Sequence, residues 1–482
     1  MNDELRVKNN ELGGKMNYRY RTDEEMKDSG IEWIGKIPKE WSIKPVKYLA
    51  NKNQYYPIGD GDHGSIKPEM YQDEGVPYIR VQNLSWGNEL NFEGMVYISE
   101  KVNNDNKKSI LKPKDILIAK TGATIGKTAI IPEGILEANT TSSVGKVTVD
   151  HSKVDYKYVA YYFQSLPFLT QINMTAYQKS AQPGFNIDDL IDYKVSLPWE
   201  IRKQREISDF LDEKTAQFDS IISKKEALIE KLEEAKKSLI SEVVTGKVKV
   251  VKTNDGYELV ERKKEEMKEC VGKIVKKIPS NWNEYKIKHA CSIVRDGTHN
   301  PPQRVEVGYP LLSVRNVQGN KLLFLNDDSF ISEYDFINLN KSFNITKGDL
   351  LLAIVGTSGK VAIVDSDREF FIQRSLAILR TKEKVCNNKM LFYIIMSNYF
   401  QKQLWSNVGF SAQPGIYLGS LLNFNLVLPE LAEQECIVDM LETEVDRINS
   451  IINNINMQIK KIKEAKQSLI SEAVTGKIEI LD

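Results

Sequence analysis

Two long stretches of the chain repeat apolar residues at helical spacing. In the second stretch the apolar positions follow alternating steps of four and three: Leu441, Val445, Ile448, Ile452, Ile455, Ile459, Ile462 and Leu469. The first stretch has a similar stripe, formed by Ile207, Leu211, Phe218, Ile221, Leu228, Leu232, Ala235 and Leu239. These patterns predict amphipathic helices over about 203–241 and 433–471, with a coiled-coil seam. About 38 helical residues make a rod of about 55 Å.

Two such stripes on one chain are most simply buried against each other. The segment 248–273 between them is charged and poor in large apolar residues, so it predicts a linker in which the chain turns back. The two helices are then expected to run antiparallel. Gly246 and Gly476 follow the predicted helices, where a C-terminal cap is expected.

The segments before each long helix have a different pattern. In the first, short β-like runs at 76–81, 115–119, 127–131 and 146–149 are separated by Gly and Pro. Helical stretches follow, at 156–171 in the first segment and 388–405 in the second. The fold class is therefore α+β: two α+β domains joined by two long antiparallel helices that form a coiled coil. The predicted boundaries are an N-terminal extension 1–28, a domain 29–198, a central helix 199–247, the linker 248–273, a second domain 274–429 and a C-terminal helix 430–482.

An internal duplication with pseudo-two-fold character supports this division. The sequence EAKKSLISEVVTGK at 234–247 recurs as EAKQSLISEAVTGK at 464–477, and SAQPG at 180–184 recurs at 411–415. The offset between the two copies is about 230 residues throughout, which indicates a tandem of two similar units. The unit ends are nearly identical and the middles have diverged. This gradient indicates that the ends share one mechanical role and that the middles recognise different things, although exposed middles that simply drift faster would give the same gradient.

Composition narrows the functional classes. The 482 residues exceed what one core usually organises, and 41% hydrophobic with 27% charged residues is typical of a folded globular protein. The formal net charge is zero, so any nucleic-acid surface must be local. The four cysteines form no C-x-x-C pair, which supports neither a disulfide framework nor a zinc finger. No apolar run reaches the roughly 18 residues of a membrane span, and a cytoplasmic location is expected.

Three local patterns could suggest an enzyme. GATIGKT at 122–128 resembles a phosphate-binding loop, but three residues separate its glycines where that motif needs four. Asn300-Pro301-Pro302-Gln303 resembles the catalytic loop of amino-methyltransferases without its aromatic residue. The four histidines have no metal-ligand spacing. We therefore expect no catalytic, cofactor or metal site in this chain.

The order of these segments resembles that of type I restriction-modification specificity subunits over about residues 29–482. SGIEWIGKIPKEW at 29–41 resembles the family's entry, and KPKDILIAKTGATIGKTAII at 112–131 resembles its strand and glycine loop. The passage into each long helix also resembles that of the family: AQPG is followed by a Leu-Pro step and then by Gln204-Arg205-Glu206-Ile207 or Gln434-Glu435-Cys436-Ile437. Asp296-Gly297-Thr298-His299 resembles a recognition-domain motif, whereas the first unit has only Asp60-Gly61-Asp62-His63.

The resemblance implies a non-catalytic, sequence-specific DNA-binding subunit of a restriction system. Each target-recognition domain would read one half of an asymmetric bipartite target in double-stranded DNA, while the helices set the gap. The implied partners are modification subunits, expected to be two, and restriction motor-nuclease subunits. S-adenosylmethionine, ATP and Mg²⁺ would belong to those partners and not to this chain.

The candidate DNA contacts are loop residues able to hold phosphates or read base edges. Arg suits guanine, and Asn or Gln suits adenine, because each can make paired bonds in the major groove. The alternative for any one of them is a polar residue that faces water or caps a turn. The candidates in the first unit are Arg80, Gln82, Asn83, Lys120, Thr121, Gln178 and Gln182, and those in the second are His299, Arg315, Asn316, Gln318, Arg374 and Gln413.

Two other functions remain open at this point. A coiled-coil scaffold would join partner subunits without reading DNA, and a gel shift of the assembled complex on a random-sequence library separates it from a specificity subunit. A stand-alone methyltransferase or nuclease would act on DNA without a partner.

Overall fold

The computed structural model describes residues 18–179, 183–272, 274–356, 358–408 and 415–481. The chain divides into two compact units. Unit 1 consists of Met1–Lys225 and Met457–Asp482, and unit 2 consists of Glu226–Asn456. The division falls within the two long helices, Ile201–Val244 and Leu431–Val474, so each unit contains part of both.

The long helices are longer than their hydrophobic stripes predicted. Each has 44 residues, or about 66 Å at 1.5 Å per residue. Within unit 1 they run antiparallel, because Asp219 accepts from Lys466 at 2.6 Å and, six residues later in the first helix, Lys225 donates at 2.7 Å to Gln458, eight residues earlier in the second. The prediction of paired antiparallel helices is confirmed within this unit.

The seam between the helices follows the predicted stripe in only one of them. In the second helix Ile452, Ile455 and Ile459 are buried, as predicted. In the first helix Leu228 is 46% exposed, and Ile222 is buried in the seam instead. Ile207 and Leu211 of the predicted stripe are buried, but the stripe was wrong at Leu228, where polar residues occupy part of the seam. Lys236 is one of them: its side chain is only 12% exposed, and in unit 2 it donates to Asn449 of the other helix at 2.9 Å.

Unit 1 contains the first α+β domain. Its larger sheet has four antiparallel strands in the order Ile58–Asp60, Val144–Val147, Ile116–Ala119 and Thr128–Ile130. A three-stranded sheet contains Asn139–Thr140, Val76–Ile79 and Val96–Ile98. Two-stranded pairs join Tyr18–Tyr20 to Ile478–Ile480, Met26–Asp28 to Lys36–Pro38, and Ser42–Pro45 to Lys194–Leu197. The shorter α-helices are Glu100–Asp105, Tyr156–Gln164, Leu166–Lys179 and Ile187–Asp192.

Unit 2 repeats this arrangement. Its four-stranded sheet contains Cys291–Asp296, Leu376–Thr381, Leu350–Ala353 and Val361–Ile363, and its three-stranded sheet contains Phe330–Ile331, Tyr309–Leu312 and Phe371–Ile372. Two-stranded pairs join Val248–Thr253 to Gly256–Glu261, Met267–Glu269 to Lys277–Pro279, Asn283–Lys286 to Asn425–Leu428, and Val317–Gln318 to Lys321–Leu322. The shorter α-helices are Ile287–Ala290, Glu333–Asn340, Asn388–Met396, Asn398–Trp405 and Leu418–Leu421.

The central strand of each large sheet is apolar throughout because both of its faces are covered. In unit 1, Ile116 and Ile118 belong to the core that includes the helix Tyr156–Gln164. Leu117, one position along, faces a second core on the other side of the sheet. Successive side chains of a strand point to opposite faces, so a strand between two cores reads as a continuous apolar run.

Both long helices end in the same joint. Gly246 and Gly476 have a left-handed φ of 70°, and the following residue donates its N–H back into the last helical turn, which is a Schellman cap. A Cβ at Gly246 would lie 2.4 Å from Pro279 Cγ, and one at Gly476 would lie 2.4 Å from Pro38 Cγ. The predicted caps are confirmed, and the joint explains why both duplicated sequences have Gly at this position.

The segment 248–273 differs from the predicted linker. It forms a regular hairpin, Val248–Thr253 with Gly256–Glu261, and then a strand that pairs with Lys277–Pro279. One face of the hairpin, with Val248, Val250 and Tyr257, packs against the core of unit 2, whereas Leu259 is 43% exposed and Val260 is 42% exposed. The N-terminal extension likewise contributes a paired strand, Tyr18–Tyr20.

Candidate nucleic-acid interface

In each unit three loops meet at one edge of the four-stranded sheet, because neighbouring strands run antiparallel. In unit 1 these loops follow Ile58–Asp60 and Ile116–Ala119 and precede Val144–Val147. We name residues 60–66, 120–126 and 141–143 loop edge 1. The corresponding residues of unit 2, which are 296–300, 354–356, 358–359 and 373–375, form loop edge 2.

The centre of loop edge 1 is the carboxylate of Asp60. It accepts from the ammonium of Lys120, whose side chain is 8% exposed, and it contacts His63 Nε2 at 3.1 Å. A buried ammonium group of this kind is usually paired with a carboxylate. The predicted contact residue Lys120 is therefore held by Asp60, while His63 is 73% exposed.

Asp62 fixes the path of the same loop. Its carboxylate accepts from the backbone N–H groups of Gly64 and Ile66 at 2.9 Å and of Ser65 at 3.0 Å. Burial alone would raise the pKa of Asp62, but the Ser65 hydroxyl and these backbone N–H groups stabilise the charged form and hold the pKa below its ordinary value. The loop is therefore built around an ionised carboxylate.

Loop edge 2 has the same turn with different neighbours. Asp296 contacts His299 Nε2 at 2.7 Å, and the His299 side chain is 65% exposed. Ile354 follows the central strand at the position that Lys120 occupies in unit 1, and Arg374 occupies the position of Ser142. Arg374 is exposed. The predicted residues His299 and Arg374 are thus brought together at one loop edge.

Two predicted asparagines are part of the protein interior. Asn83 is 0% exposed and Asn316 is 1% exposed. The amide of Asn83 donates to the carbonyl of Asn91 at 2.9 Å, and the amide of Asn316 donates to that of Leu323 at 2.9 Å. Each side-chain oxygen also accepts the backbone N–H three residues earlier. Both residues cap a turn, which was the alternative to a DNA contact, and neither amide reaches the surface.

The predicted residues beside these asparagines are partly engaged. Arg80 donates to the carbonyl of Gly94 at 2.6 Å, and Arg315 forms ion pairs with Asp327 at 2.7 Å and Asp328 at 3.0 Å. The exposed Gln82 and Gln318 follow in the same two turns. These four residues lie next to the three-stranded sheets, apart in sequence from the loop edges.

The remaining predicted residues are Thr121, Gln178, Gln182 and Gln413. Thr121 is half-buried in loop edge 1, where its backbone pairs with Gly184. Gln182 and Gln413 lie outside the described residues. The backbone of Gln178 belongs to the helix Leu166–Lys179, but its side chain also lies outside what the structure describes.

The sequence that resembles a phosphate-binding loop has a different structure. The sequence 122–128 forms a 3-10 turn, Gly122–Thr124, and then the strand Thr128–Ile130, whereas a phosphate-binding loop opens a helix. Among the described residues, no group of three His, Cys, Asp or Glu side chains is arranged to hold a metal. No helix within the part of the chain that the structure describes is both long and apolar enough to span a membrane.

Sequence reasoning missed His63. Asp60-Gly61-Asp62-His63 departs in sequence from the motif at 296–299, yet the two segments form the same turn. The signal was present in the sequence as the common spacing Asp-Gly-x-His.

Comparisons with known proteins agree on one family. A family model described as a type I restriction modification DNA specificity domain matches residues 38–234 and 279–461. The chain is 25% identical over 458 residues to the type I restriction enzyme MjaVIII specificity subunit of Methanocaldococcus jannaschii, covering 92% of this chain and 94% of that protein. It is 22% identical over 466 residues to the EcoBI specificity subunit of Escherichia coli, covering 95% and 90%.

A solved structure shares the fold. It was described in work on complex assembly and conformational transition of the type I R-M system. The TM-score is 0.64 at 13% identity, and the match covers 92% of this chain and 99% of that one.

Proposed function

This chain belongs to the type I restriction-modification DNA specificity subunits, and we propose that each of its two units reads one half of an asymmetric bipartite DNA target. The observation that carries the proposal is the pair of loop edges: two like scaffolds present the same turn beside different side chains. The difference between Lys120 and Ile354, and between Ser142 and Arg374, would make the two half-sites different.

Charge at loop edge 2 favours DNA as the ligand. Arg374 presents an exposed guanidinium beside the exposed His299. An exposed Arg suits either a phosphate or the paired acceptors of guanine in the major groove. At loop edge 1, Gly61 to Ser65 would approach DNA with His63 outermost, since Lys120 is held below by Asp60.

The long helices would bind the modification subunits. In unit 1 a cavity of about 740 Å³ is lined by both helices, through Ile222 and Lys466, and by the loop that carries Trp86. Trp86 is 60% exposed, and exposed aromatic side chains are typical anchors at protein interfaces. Two modification subunits are proposed, one for each unit, with restriction motor-nuclease subunits joining for cleavage.

The chain itself would supply no chemistry. S-adenosylmethionine would bind the modification subunits, and ATP with Mg²⁺ would bind the motor-nuclease subunits, in the cytoplasm where the target DNA lies. The helix length would set the gap between half-sites, as a rod of constant rise does. A scaffold without DNA reading is disfavoured, because the relatives across the whole chain are specificity subunits.

The test is to map methylated bases across the host genome with and without the gene for this chain. We expect one methylated motif with two different half-sites and a constant gap, which disappears on deletion. Methylation that is unchanged by the deletion, or purified chain that methylates or cuts DNA alone, would contradict the proposal.

A further inference from the structure

One exposed feature is the same in both loop edges. Asp60 and His63 in unit 1 have the spacing of Asp296 and His299 in unit 2, and in each case His Nε2 contacts the carboxylate, at 3.1 Å and 2.7 Å. Both imidazoles are largely exposed, at 73% and 65% of the side chain. Each ring is thus held on one side by a carboxylate and is open on the other.

The backbone places both rings in the same way. A Cβ at Gly61 would lie 2.1 Å from the carbonyl oxygen of Thr140, and a Cβ at Gly297 would lie 2.2 Å from that of Ile372. The residue after each glycine donates its N–H to that same carbonyl, at 2.7 Å and 3.0 Å. Only glycine permits this contact, so the turn and the histidine that ends it are fixed to the neighbouring strand.

The side chains around the two turns are different. The buried cation of unit 1, Lys120, is replaced by Ile354, and Arg374 stands where unit 1 has Ser142. A carboxylate-bound histidine has therefore stayed the same in surroundings that have otherwise changed in charge and size.

We infer that His63 and His299 each contact a phosphate of the DNA backbone, one in each half-site, and position the reading loops without reading bases. The inference rests on the proposed function. A side chain that is common to two domains with different half-sites cannot account for the difference between them. The phosphate backbone is what any two half-sites share, and contacts to it set register and orientation.

The chemistry of the ring fits this partner. Asp60 or Asp296 takes the Nε2–H, which leaves Nδ1 for the phosphate oxygen. As the imidazolium, the ring donates from both nitrogens, to the aspartate through Nε2–H and to a phosphate oxygen through Nδ1–H, and the carboxylate behind it fixes the ring plane. The phosphate contact is therefore a charge-assisted hydrogen bond.

Substitutions at the histidines separate this role from a purely structural one. Gln keeps an N–H for the aspartate and so preserves the turn, but it removes the cation. Arg keeps the cation and can reach a phosphate. A phosphate contact is lost in the Gln variant and retained in the Arg variant, whereas a turn-stabilising bond is retained by Gln.

The experiment uses the complex of this chain with its modification subunits. Fluorescence anisotropy measures affinity at several salt concentrations for two duplexes, one with the mapped target and one with both half-sites scrambled. We expect H63Q and H299Q each to weaken binding of both duplexes about ten-fold. The slope of log affinity against log salt should flatten by about 0.9 for each lost phosphate contact. H63R and H299R should bind as the wild type does.

The chain's other two histidines are matched controls. His151 follows Val144–Val147 and His289 precedes Cys291–Asp296, so both lie at the opposite edge of the same sheets, and both are exposed. H151Q and H289Q should change neither affinity nor salt slope. Thermal melting of every variant checks that the fold is retained.

Three results would overturn the inference. Altered methylated bases in one half-site of H63Q or H299Q would show that the ring reads a base. Unchanged affinity and slope in both Gln variants would show that no phosphate is contacted. Loss of binding in the Arg variants together with a lowered melting temperature would show a structural role. Failure of the proposed function itself is separate, because the wild-type complex would then show no preference for the target duplex.

Discussion

Replacing Gly476 by Ala should test the joint at the end of the second long helix. The residue has a φ of 70°, which costs an L-residue about 1–2 kcal/mol. The new Cβ would also lie 2.4 Å from Cγ and 2.6 Å from Cδ of Pro38, and 3.0 Å from Trp41. A proline ring cannot swing away, so overpacking adds about 1–3 kcal/mol. We expect G476A to lower the free energy of unfolding of unit 1 by about 2–5 kcal/mol.

Gly30 provides a matched control in the same unit. Its φ is 74°, and nothing lies within 4 Å of the position of a Cβ. G30A should therefore cost only the backbone part, about 1–2 kcal/mol. Gly246, whose Cβ would lie 2.4 Å from Pro279 Cγ, should repeat the G476A result in unit 2.

The assay is urea unfolding of the full chain, followed by circular dichroism and tryptophan fluorescence. Trp41 and Trp282 stand at the two joints, so the loss of either joint contributes to the fluorescence change. If G476A lowers the free energy of unfolding no more than G30A does, Pro38 does not restrict position 476. The packing argument for Gly at this joint is then refuted.

Four further predictions follow from the duplication and from the ion pairs. Arg380 donates to the buried carboxylate of Asp349 through two nitrogens, each at 2.8 Å. R380M should therefore destabilise unit 2 by about 2–4 kcal/mol in urea unfolding. The control R295M, at an exposed side chain of the neighbouring strand, should cost under about 0.5 kcal/mol. Equal costs would show that the pair is not structural. Exchanging residues 42–196 for those of a relative should replace one half-site and leave the other and the gap intact in methylation mapping; a change in both would exclude independent units. Four residues inserted near Lys225 add about 6 Å of helix, close to two base pairs, so mapped half-sites should persist with a longer gap. Unchanged spacing in an active mutant would exclude the helices as the ruler. The isolated chain, with zero net charge, should bind target DNA weakly in a gel shift, and tight salt-insensitive binding would contradict this.

The sequence alone determined the features that depend on neighbouring residues: the second long helix, the glycine caps and the duplication. The stripe of the second helix follows from 3.6-residue periodicity, and its residues Ile452, Ile455 and Ile459 are buried as predicted. Gly246 and Gly476 could be predicted as caps, because a left-handed residue at a helix end favours glycine. The repeated 14-residue ends at 234–247 and 464–477 established the duplication before any coordinates.

Tertiary structure alone decided which polar residues face outward. Asn83 and Lys120 stand in segments whose sequence is typical of loops. Asn83 is nevertheless bound by a carbonyl eight residues away, and Lys120 by a carboxylate sixty residues away. The second helix likewise decides which residues of the first helix are buried between them. Asn449 accepts a hydrogen bond from Lys236, while Leu228 stays exposed. Hydrophobic periodicity describes one helix and contains no information about its partner. Whether a polar side chain is buried depends on the partner that the fold places against it. The sequence thus determined the scaffold of this protein, and long-range contacts determined which side chains that scaffold leaves free to bind.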